Sequence, residues 1–172
     1  FYNNAEVVFF RSEKQRDIHL EALNLDDAKV KLLPALFADD FFEKVSALRE
    51  KYSDNKEDKW IISSSPSWVK GAQDAERWCE DNNKEYVKVH NKPYSEVLEM
   101  LAKSKGLCFL PKGSDTCPRL VIEAKLLNCE LNLNDKVLHV SEKWFESKSI
   151  EQIEKHLKKQ PERFWNIVEN GL

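Results

Sequence analysis

One stretch of the chain, LCFLPKGSDTCPRLVIEA at residues 107–124, carries the pattern that decides the fold. Its first four residues are apolar or small, which is typical of a short buried strand. A polar loop follows, and Pro118 then begins an apolar segment that predicts a helix over 118–127, because proline is favoured in a helix's first turn. That segment is apolar on nearly every side, so we expect the helix to be buried against a sheet.

The same alternation of strand and helix continues on both sides of this stretch. Strands are predicted at 60–63, 86–89, 107–110 and 131–133. Helices are predicted at 67–82, with Trp68, Ala72, Ala75 and Cys79 on one face, and at 95–105, ended by Gly106 as a C′ residue. The polar run 53–59 predicts a surface loop. This order predicts an α/β fold: a Rossmann-like parallel sheet with helices on both faces, whose ligands bind beyond the carboxyl ends of the strands.

The outer parts of the chain are predicted to hold shorter elements. We expect strands at 5–10 and 30–33, a helix capped by Ser12 through a capping box with Gln15, and a helix that begins at Asp39 or Asp40. A further candidate strand lies at 137–140 and carries His139, and two C-terminal helices follow at 149–159 and 161–170.

Composition excludes several classes of protein. The chain has 172 residues, 41% of them hydrophobic and 33% charged, with a net charge of −3, which is typical of a globular domain without a global field for nucleic acid. Its four glycines form neither G-x-x-x-x-G-K-[ST] nor G-x-G-x-x-G. Its four cysteines form no C-x-x-C pair, so we expect reduced thiols, a cytoplasmic location and no metal site.

Two of the predicted ligand-side loops hold candidate binding residues. The loop after strand 60–63 contains Ser65 and then Lys70, a cation in the first turn of a helix, where the helix dipole disfavours it unless an anionic ligand is near. The alternative is a serine-rich turn with a solvated lysine. His90 and Asn91 follow strand 86–89 on the same side, and the alternative for His90 is a solvated loop histidine.

The loop after strand 107–110 is the most informative one. Gly113 permits close backbone approach, and Thr116 and Cys117 lie at the start of a helix whose first N–H groups are free. Lys112 and Arg119 bracket that helix start. Together these residues predict an anion-binding cradle built without a glycine-rich motif.

Glu123 is the exception on the apolar helix 118–127. A buried carboxylate costs several kcal/mol unless it is paired or hydrogen-bonded. Two interpretations are equally open: a local ion pair with Arg119, four residues earlier, or acceptance of hydrogen bonds from the hydroxyls of a ligand. A carboxylate suits a vicinal diol because it can accept two O–H donors.

The residues from Trp60 to Asp135 resemble the donor-binding half of a GT-B glycosyltransferase of the large retaining group with the E-x7-E signature. Lys70-Gly71 occupies the place of that family's Lys-Gly, and the run LCFLP at 107–111 that of its strand ending in Pro. Asp115 and Glu123 are eight residues apart, as are the paired acids of the signature, and Ala124 follows as in its Glu-Ala. Asp replaces Glu at the first acid, and the arginine that commonly precedes the lysine is absent.

The resemblance implies a glycosyltransferase of hexosyl type that binds a nucleotide-diphosphate sugar without a metal or other cofactor. Lys70, the helix start at Thr116 and Cys117, and Arg119 would hold the diphosphate. Glu123 would accept from the ribose, Asp115 would contact the sugar, and Ser65 and His90 would lie at the donor site, with His90 against the base.

The resemblance also implies a division of the chain. Residues 1–52 would be the end of an acceptor-side domain and its connection, 53–148 the nucleotide-sugar-binding domain, and 149–172 helices that pack back on it. We expect the chain to be a fragment or reduced form, with an unassigned glycan or other acceptor, no nucleic-acid partner, and membrane contact only through a missing acceptor domain. The alternative function is a non-catalytic α/β ligand-binding or regulatory module.

Overall fold

A computed structural model describes the chain from Tyr2 to Asn170, apart from the side chain of Asn3. Its described residues form two compact units, one running to Asp39 and resuming at Leu138, the other comprising Asp40–Val137. The strands are β1 (Val8–Phe10), β2 (Val30–Leu32), β3 (Glu57–Ser63), β4 (Glu85–Val89), β5 (Ser104–Phe109) and β6 (Glu130–Leu133). The helices are α1 (Glu13–Leu23), α2 (Asp39–Lys51), α3 (Ala72–Asp81), α4 (Tyr94–Lys103), α5 (Arg119–Leu126), α6 (Ile150–Lys158) and α7 (Gln160–Asn170).

The Asp40–Val137 unit is built on a four-stranded sheet of order β4-β3-β5-β6, in which every neighbouring pair is parallel. The prediction that these four strands are parallel neighbours in one sheet is therefore confirmed. The chain passes from β3 to β4 on one side and then crosses back to β5 and β6 on the other. The order in which strands are added therefore reverses between β3 and β5. The loops after these two strands flank the point at which open parallel sheets bind ligands.

The core of this unit lies on the two faces of β3 and β5. Ile61, Ile62, Leu107 and Cys108 are buried at 1% exposure or less, and side chains alternate between the faces along each strand. Helix α3 covers the face of Trp60, Ile62 and Cys108. Each fully buried Leu or Ile contributes about 1.5–3 kcal/mol, which explains why short strands suffice here.

Three elements of this unit begin at a residue well away from the one predicted, and one of them is β5, which begins at Ser104 and not at residue 107. β3 begins at Glu57, not Trp60, because the charged residues before Trp60 pair their backbone in the sheet while their side chains stay outside. The polar loop is correspondingly shorter. The predicted helix 67–82 is divided: a 3-10 turn, Trp68–Lys70, precedes α3, because Gly71 adopts a left-handed conformation with φ 67°. Trp68 is consequently 73% exposed and does not lie on the buried face of α3.

Gly106 does not end a helix. Helix α4 ends at Lys103, and Gly106 lies within β5. A Cβ at this position would be 2.8 Å from two ring carbons of Trp60 and 2.9 Å from the carbonyl oxygen of Glu130. The glycine is required by close packing inside the sheet, which local sequence signals do not report.

The other unit contains the parallel pair of β1 and β2 and helices α1, α6 and α7. Ser12 caps α1 as predicted, accepting from the Gln15 N–H at 3.2 Å, although the Gln15 side chain accepts from Arg11 N–H rather than from Ser12. Residues 137–140 do not form the candidate strand. His139 lies on a 3-10 turn, Leu138–Ser141, and is completely buried.

Between Tyr2 and Asn170, none of the helices has both the length and the apolar character needed to cross a membrane. The assignment of 1–52, 53–148 and 149–172 to an acceptor-side part, a donor domain and C-terminal helices stays a prediction.

Candidate functional site

Gly71 joins the loop after β3 to the loop after β5. A Cβ on Gly71 would lie 1.8 Å from the carbonyl oxygen of Leu110, and its positive φ disfavours any other residue. Next to it, the Lys112 N–H donates to the Val69 carbonyl oxygen at 2.8 Å. The two loops at the reversal point of the sheet therefore form one connected surface.

The loop between β5 and α5 is also fixed on its other side, by the segment after β6. The Asp115 N–H donates to the carbonyl oxygen of Lys136 at 2.8 Å, and the Asn134 side-chain amide donates to the carbonyl oxygen of Pro111 at 2.9 Å. A loop held at both sides presents its side chains in a defined arrangement without help from a ligand.

Lys70 and Asp115 come together on this surface. The Lys70 Nζ donates to Asp115 Oδ2 at 2.5 Å, with the lysine side chain 40% exposed and the aspartate side chain 17% exposed. The resemblance implies that both residues lie at the donor site, but no pattern in the sequence indicates this ion pair. The pair neutralises a cation and an anion that the resemblance assigns to different parts of one ligand.

Glu123 has two partners, Tyr94 and Arg119, and the sequence indicates only Arg119. Its Oε1 accepts a hydrogen bond from the Tyr94 hydroxyl at 2.7 Å and lies 3.5 Å from Arg119 Nε. Arg119 Nη2 also donates to the Tyr94 hydroxyl oxygen at 3.3 Å, and its guanidinium lies over the Tyr94 ring. Because the arginine side chain is 49% exposed and the ion pair is long, Arg119 alone is a weak partner for this carboxylate.

The other carboxylate oxygen of Glu123 is available. Among the residues that the structure describes, none donates a hydrogen bond to Oε2, yet Oε2 is not one of the polar atoms sealed from solvent. Burial raises the pKa of Glu123, and the Tyr94 hydroxyl and Arg119 oppose that rise. An open oxygen on a carboxylate that is 96% buried is suited to accept an O–H group that a ligand brings.

The remaining predicted residues lie on the loops after β3, β4 and β5. Ser65 and Lys112 line a shallow pocket of about 220 Å³, together with Ser67, Trp68 and Gln73. Thr116 is half-buried and Cys117 is buried, both directly before α5. His90 is exposed at the carboxyl end of β4. The structure thus brings Lys70 to Asp115 and Arg119 to Glu123, while the roles of all eight predicted residues stay predictions.

Tyr94 was missed by the sequence analysis. It begins α4, four residues after His90, at the edge of the sheet to which the carboxyl ends of the strands point. An aromatic residue bearing a hydroxyl at the start of a helix that follows a ligand-side loop was the available signal. The sequence could not indicate that its hydroxyl reaches Glu123, 29 residues away.

Between Tyr2 and Asn170, no three His, Cys, Asp or Glu side chains are grouped so that they could hold a metal ion. The prediction that the chain uses no metal remains untested by this observation. The four cysteines are buried and form no disulfide, and burial raises the pKa of Cys79 to about 12 and that of Cys129 to about 11. These two thiols are therefore poor nucleophiles.

The fold, but not the sequence, is similar to that of a known protein. No protein-family model matches the chain, and no curated protein is matched by its sequence. Among solved structures, the crystal structure of WaaG, a glycosyltransferase involved in lipopolysaccharide biosynthesis, matches 95% of this chain with a TM-score of 0.57 and 12% identity. The chain spans 62% of the length of that WaaG chain. The fold predicted from the sequence is therefore confirmed: the chain has an α/β fold with parallel sheets flanked by helices, similar to the Rossmann-like domain of a glycosyltransferase.

Proposed function

We propose that this chain binds the donor of a glycosyltransferase reaction, a nucleotide-diphosphate sugar, at the surface formed by the loops after β3 and β5. Two independent features support the proposal. One is a fold similar to that of a glycosyltransferase. The other is the set of anion-binding and hydroxyl-binding side chains at the reversal point of the sheet.

The observation that carries the proposal is the state of Glu123. Its side chain is 96% buried, and its ion pair with the exposed Arg119 is long, at 3.5 Å from Nε to Oε1. Its other oxygen, Oε2, accepts no hydrogen bond from the part of the chain that the structure describes. Such a group destabilises the folded protein, so its presence here indicates a requirement other than stability. A ribose hydroxyl that donates to Oε2 would supply the missing hydrogen bond.

The diphosphate would lie between Lys70 and the start of α5. A helix N-terminus attracts anions through its free N–H groups and its dipole, and Arg119 in the first turn adds a positive charge. Lys70 would exchange Asp115 for the diphosphate, and Asp115 would then be free to accept from hydroxyls of the sugar. As the sugar bond breaks, the departing diphosphate gains negative charge, which Lys70 and the helix start are placed to stabilise.

The finer assignments belong to the same proposal. We propose that the transferred group is a hexosyl unit, that the loop at His90 lies against the base, and that the reaction proceeds without a metal cofactor in the cytoplasm. The acceptor, a glycan or another molecule, is contacted outside the donor surface. Because the chain spans 62% of the WaaG chain, turnover by this chain alone is part of the proposal and needs its own measurement.

Calorimetric titration with uridine, adenosine and guanosine diphosphates tests the binding step. The wild type should bind at least one of them, and Glu123→Gln should weaken that binding by about 1.5–3 kcal/mol, the contribution of a hydrogen bond to a charged acceptor. Glu130→Gln, at an exposed position on β6, is the matched control and should bind as the wild type does. Absence of binding, or equal affinity in Glu123→Gln, would reject the donor site.

Release of nucleoside diphosphate from a panel of nucleotide-sugars separates an enzyme from a binding module. Slow hydrolysis that Lys70→Ala abolishes, while a circular dichroism spectrum shows the fold retained, would support a transferase. Binding without any release in every nucleotide-sugar tried would favour the non-catalytic module.

A further inference from the structure

Trp68 is the most exposed large apolar side chain among the residues that the structure describes, at 73%. Trp60, in the same unit, is only 4% exposed. An indole that is left in water gives up the stabilisation that burial provides to a large aromatic side chain. One exposed apolar side chain is ordinary in itself, so the surroundings of the ring decide whether it binds a ligand.

The backbone that carries Trp68 is fixed on both sides. Its own carbonyl oxygen accepts from the Gly71 N–H at 3.2 Å, and the carbonyl oxygen of Val69 accepts from the Lys112 N–H at 2.8 Å. Gly71 in turn packs so closely against the Leu110 carbonyl that no Cβ fits there. A ligand that contacts the indole therefore meets a turn that is already in place, and binding needs little ordering of the chain.

The indole borders a pocket of about 220 Å³ that is also lined by polar side chains. They are the hydroxyl of Ser65, the amide of Gln73 and the ammonium of Lys112. The Ser65 Oγ accepts from the Ser67 N–H at 3.3 Å and keeps its own proton to donate. The Lys112 Nζ lies 3.6 Å from Asp74 Oδ2, a long ion pair that leaves donors of the ammonium for a ligand. The pocket thus combines one apolar plane with hydrogen-bonding groups.

A sugar ring has the chemistry that this combination recognises. One face of a pyranose carries C–H groups of slight positive charge, which pack against the negative face of an indole, while its hydroxyls hydrogen-bond to polar groups around the ring. At about 220 Å³, the pocket is smaller than the roughly 300–1,000 Å³ of sites for drug-sized ligands, so it suits one ring of a longer molecule. A cationic ligand would be repelled by Lys112.

We propose that Trp68 and this pocket bind one sugar ring of the acceptor, which is a glycan. The inference rests on the proposed function, because it supplies the second substrate of that reaction. None of the side chains proposed to hold the diphosphate, the ribose and the transferred sugar through Lys70, Asp115 and Glu123 lines the pocket. The glycan and the nucleotide would therefore contact different side chains. Ser65, which the resemblance implies at the donor site, would bind the acceptor instead.

Nuclear magnetic resonance titration with maltotriose, cellotriose, mannobiose, galactobiose and chitobiose tests the site. The chain has five tryptophans, each with one indole N–H signal, and that of Trp68 is the one missing from Trp68→Phe. At least one oligosaccharide should shift this signal in a saturable way without nucleotide. Trp68→Ala should weaken that binding about tenfold, and Trp68→Phe, which keeps an aromatic face, by less than about threefold. No shift of the Trp68 signal by any of these oligosaccharides would overturn the inference.

Trp165→Ala is the matched control, because Trp165 is also exposed, at 57%, and lies on α7. It should bind the oligosaccharide as the wild type does. Equal losses in Trp165→Ala and Trp68→Ala would show unspecific contact of sugars with exposed indoles and would overturn the inference. Gln73→Ala leaves the indole in place and tests the polar side of the pocket: it should weaken binding about threefold, and unchanged affinity would contradict the site. Exposed side chains are altered throughout, so the thermal midpoints should stay at the wild-type value.

Adding nucleotide identifies the source of the sugar ring. With the preferred nucleoside diphosphate at saturation, the oligosaccharide should bind within about twofold of its affinity without it, because the two ligands contact different side chains. If they exclude each other, or if Trp68→Ala weakens only the binding of a nucleotide-sugar, the pocket holds the donor's sugar, and this inference fails while the proposed function stands. If the oligosaccharide binds at Trp68 and no nucleoside diphosphate binds, the proposed function fails, and the pocket is the glycan site of a non-catalytic module.

Discussion

At the scale of single residues, the structure keeps acidic side chains where stability alone would not. Glu123 lies among apolar residues of α5, and its partner Arg119 stays in solvent. Asp115 is largely buried and is neutralised by Lys70. A buried carboxylate such as Glu123, which has no close ion-pair partner and therefore destabilises the fold, is typical of binding sites, where stability is exchanged for function.

The first prediction concerns the stability of Glu123→Gln without ligand. The amide oxygen can still accept from Tyr94, and the substitution removes a charge from a buried place, so the free energy of unfolding at pH 7 should rise by about 1 kcal/mol. Because burial raises the Glu123 pKa, wild type takes up a proton in the folded state as the pH falls, and the advantage of the variant should shrink toward pH 4.5. Urea denaturation at several pH values measures both effects. A loss of about 3–5 kcal/mol would instead identify Glu123 as a structural ion-pair partner.

His139 provides the second residue-scale prediction. It is fully buried beside Trp144 and Phe145, and neither ring nitrogen has a hydrogen-bond partner within the described chain. Burial lowers its pKa from 6.5 to about 4, so the unfolded chain binds the proton more readily over that range. The folded protein should therefore keep its full stability above pH 6.5, where the ring is neutral in both states, and lose about 3 kcal/mol as the pH falls toward 4.

The variant His139→Leu should lose that part of the pH dependence and gain about 1 kcal/mol at pH 7, since two unpaired polar atoms are removed. Identical pH profiles for wild type and His139→Leu would contradict the assignment.

At the scale of elements, the contact between the loops after β3 and β5 depends on Gly71. We expect Gly71→Ala to reduce the free energy of unfolding by about 3 kcal/mol or more, because the new Cβ meets the Leu110 carbonyl, which is backbone and cannot move aside. Gly113→Ala is the matched control: its Cβ would meet only a side-chain methyl of Val69 at 2.9 Å, and φ is not positive. It should change stability by less than about 1 kcal/mol. Chemical denaturation measures both, and similar losses in the two variants would refute the special role of Gly71.

The elements that sequence could predict are those fixed by local pattern. Strands at 60–63, 86–89, 107–110 and 131–133 were identified because their apolar runs alternate with helical periodicity, and alternation of this kind requires parallel pairing. Gly106 and Trp68 were misassigned because the packing of Trp60 and the left-handed Gly71 decide their places. The Tyr94–Glu123 bond was not predicted for the same reason: it is a long-range contact between side chains, and no local signal encodes it.

At the scale of the whole molecule, every residue of the proposed donor site belongs to the Asp40–Val137 unit. Within that unit, backbone contacts connect the loop after β5 to the loop after β3 and to the segment after β6. The similarity to WaaG covers 95% of this chain, and thus extends over both units as a likeness of fold. The proposed ligand contacts therefore lie in one unit, whereas the similarity in fold extends over both.

The last prediction follows from that separation. Saturation of the full chain with its preferred nucleoside diphosphate at 100-fold excess over Kd should add about 2.7 kcal/mol to the stability of whatever must stay folded to bind it. In hydrogen exchange, protection should rise in the loop between β5 and α5, where two amides donate to the carbonyl oxygens of Val69 and Lys136, and at the start of α5, whose amides would face the diphosphate under the proposal. Peptides from α6 and α7 should exchange at the same rate with and without ligand, because none of the proposed contacts involves them.

With Glu123→Gln as the control at equal nucleotide concentration, the protection at α5 should diminish. Protection that appears chiefly in α6 or α7 would show that the nucleotide binds elsewhere, and the donor site at Glu123 would have to be abandoned even if the chain binds nucleotides well.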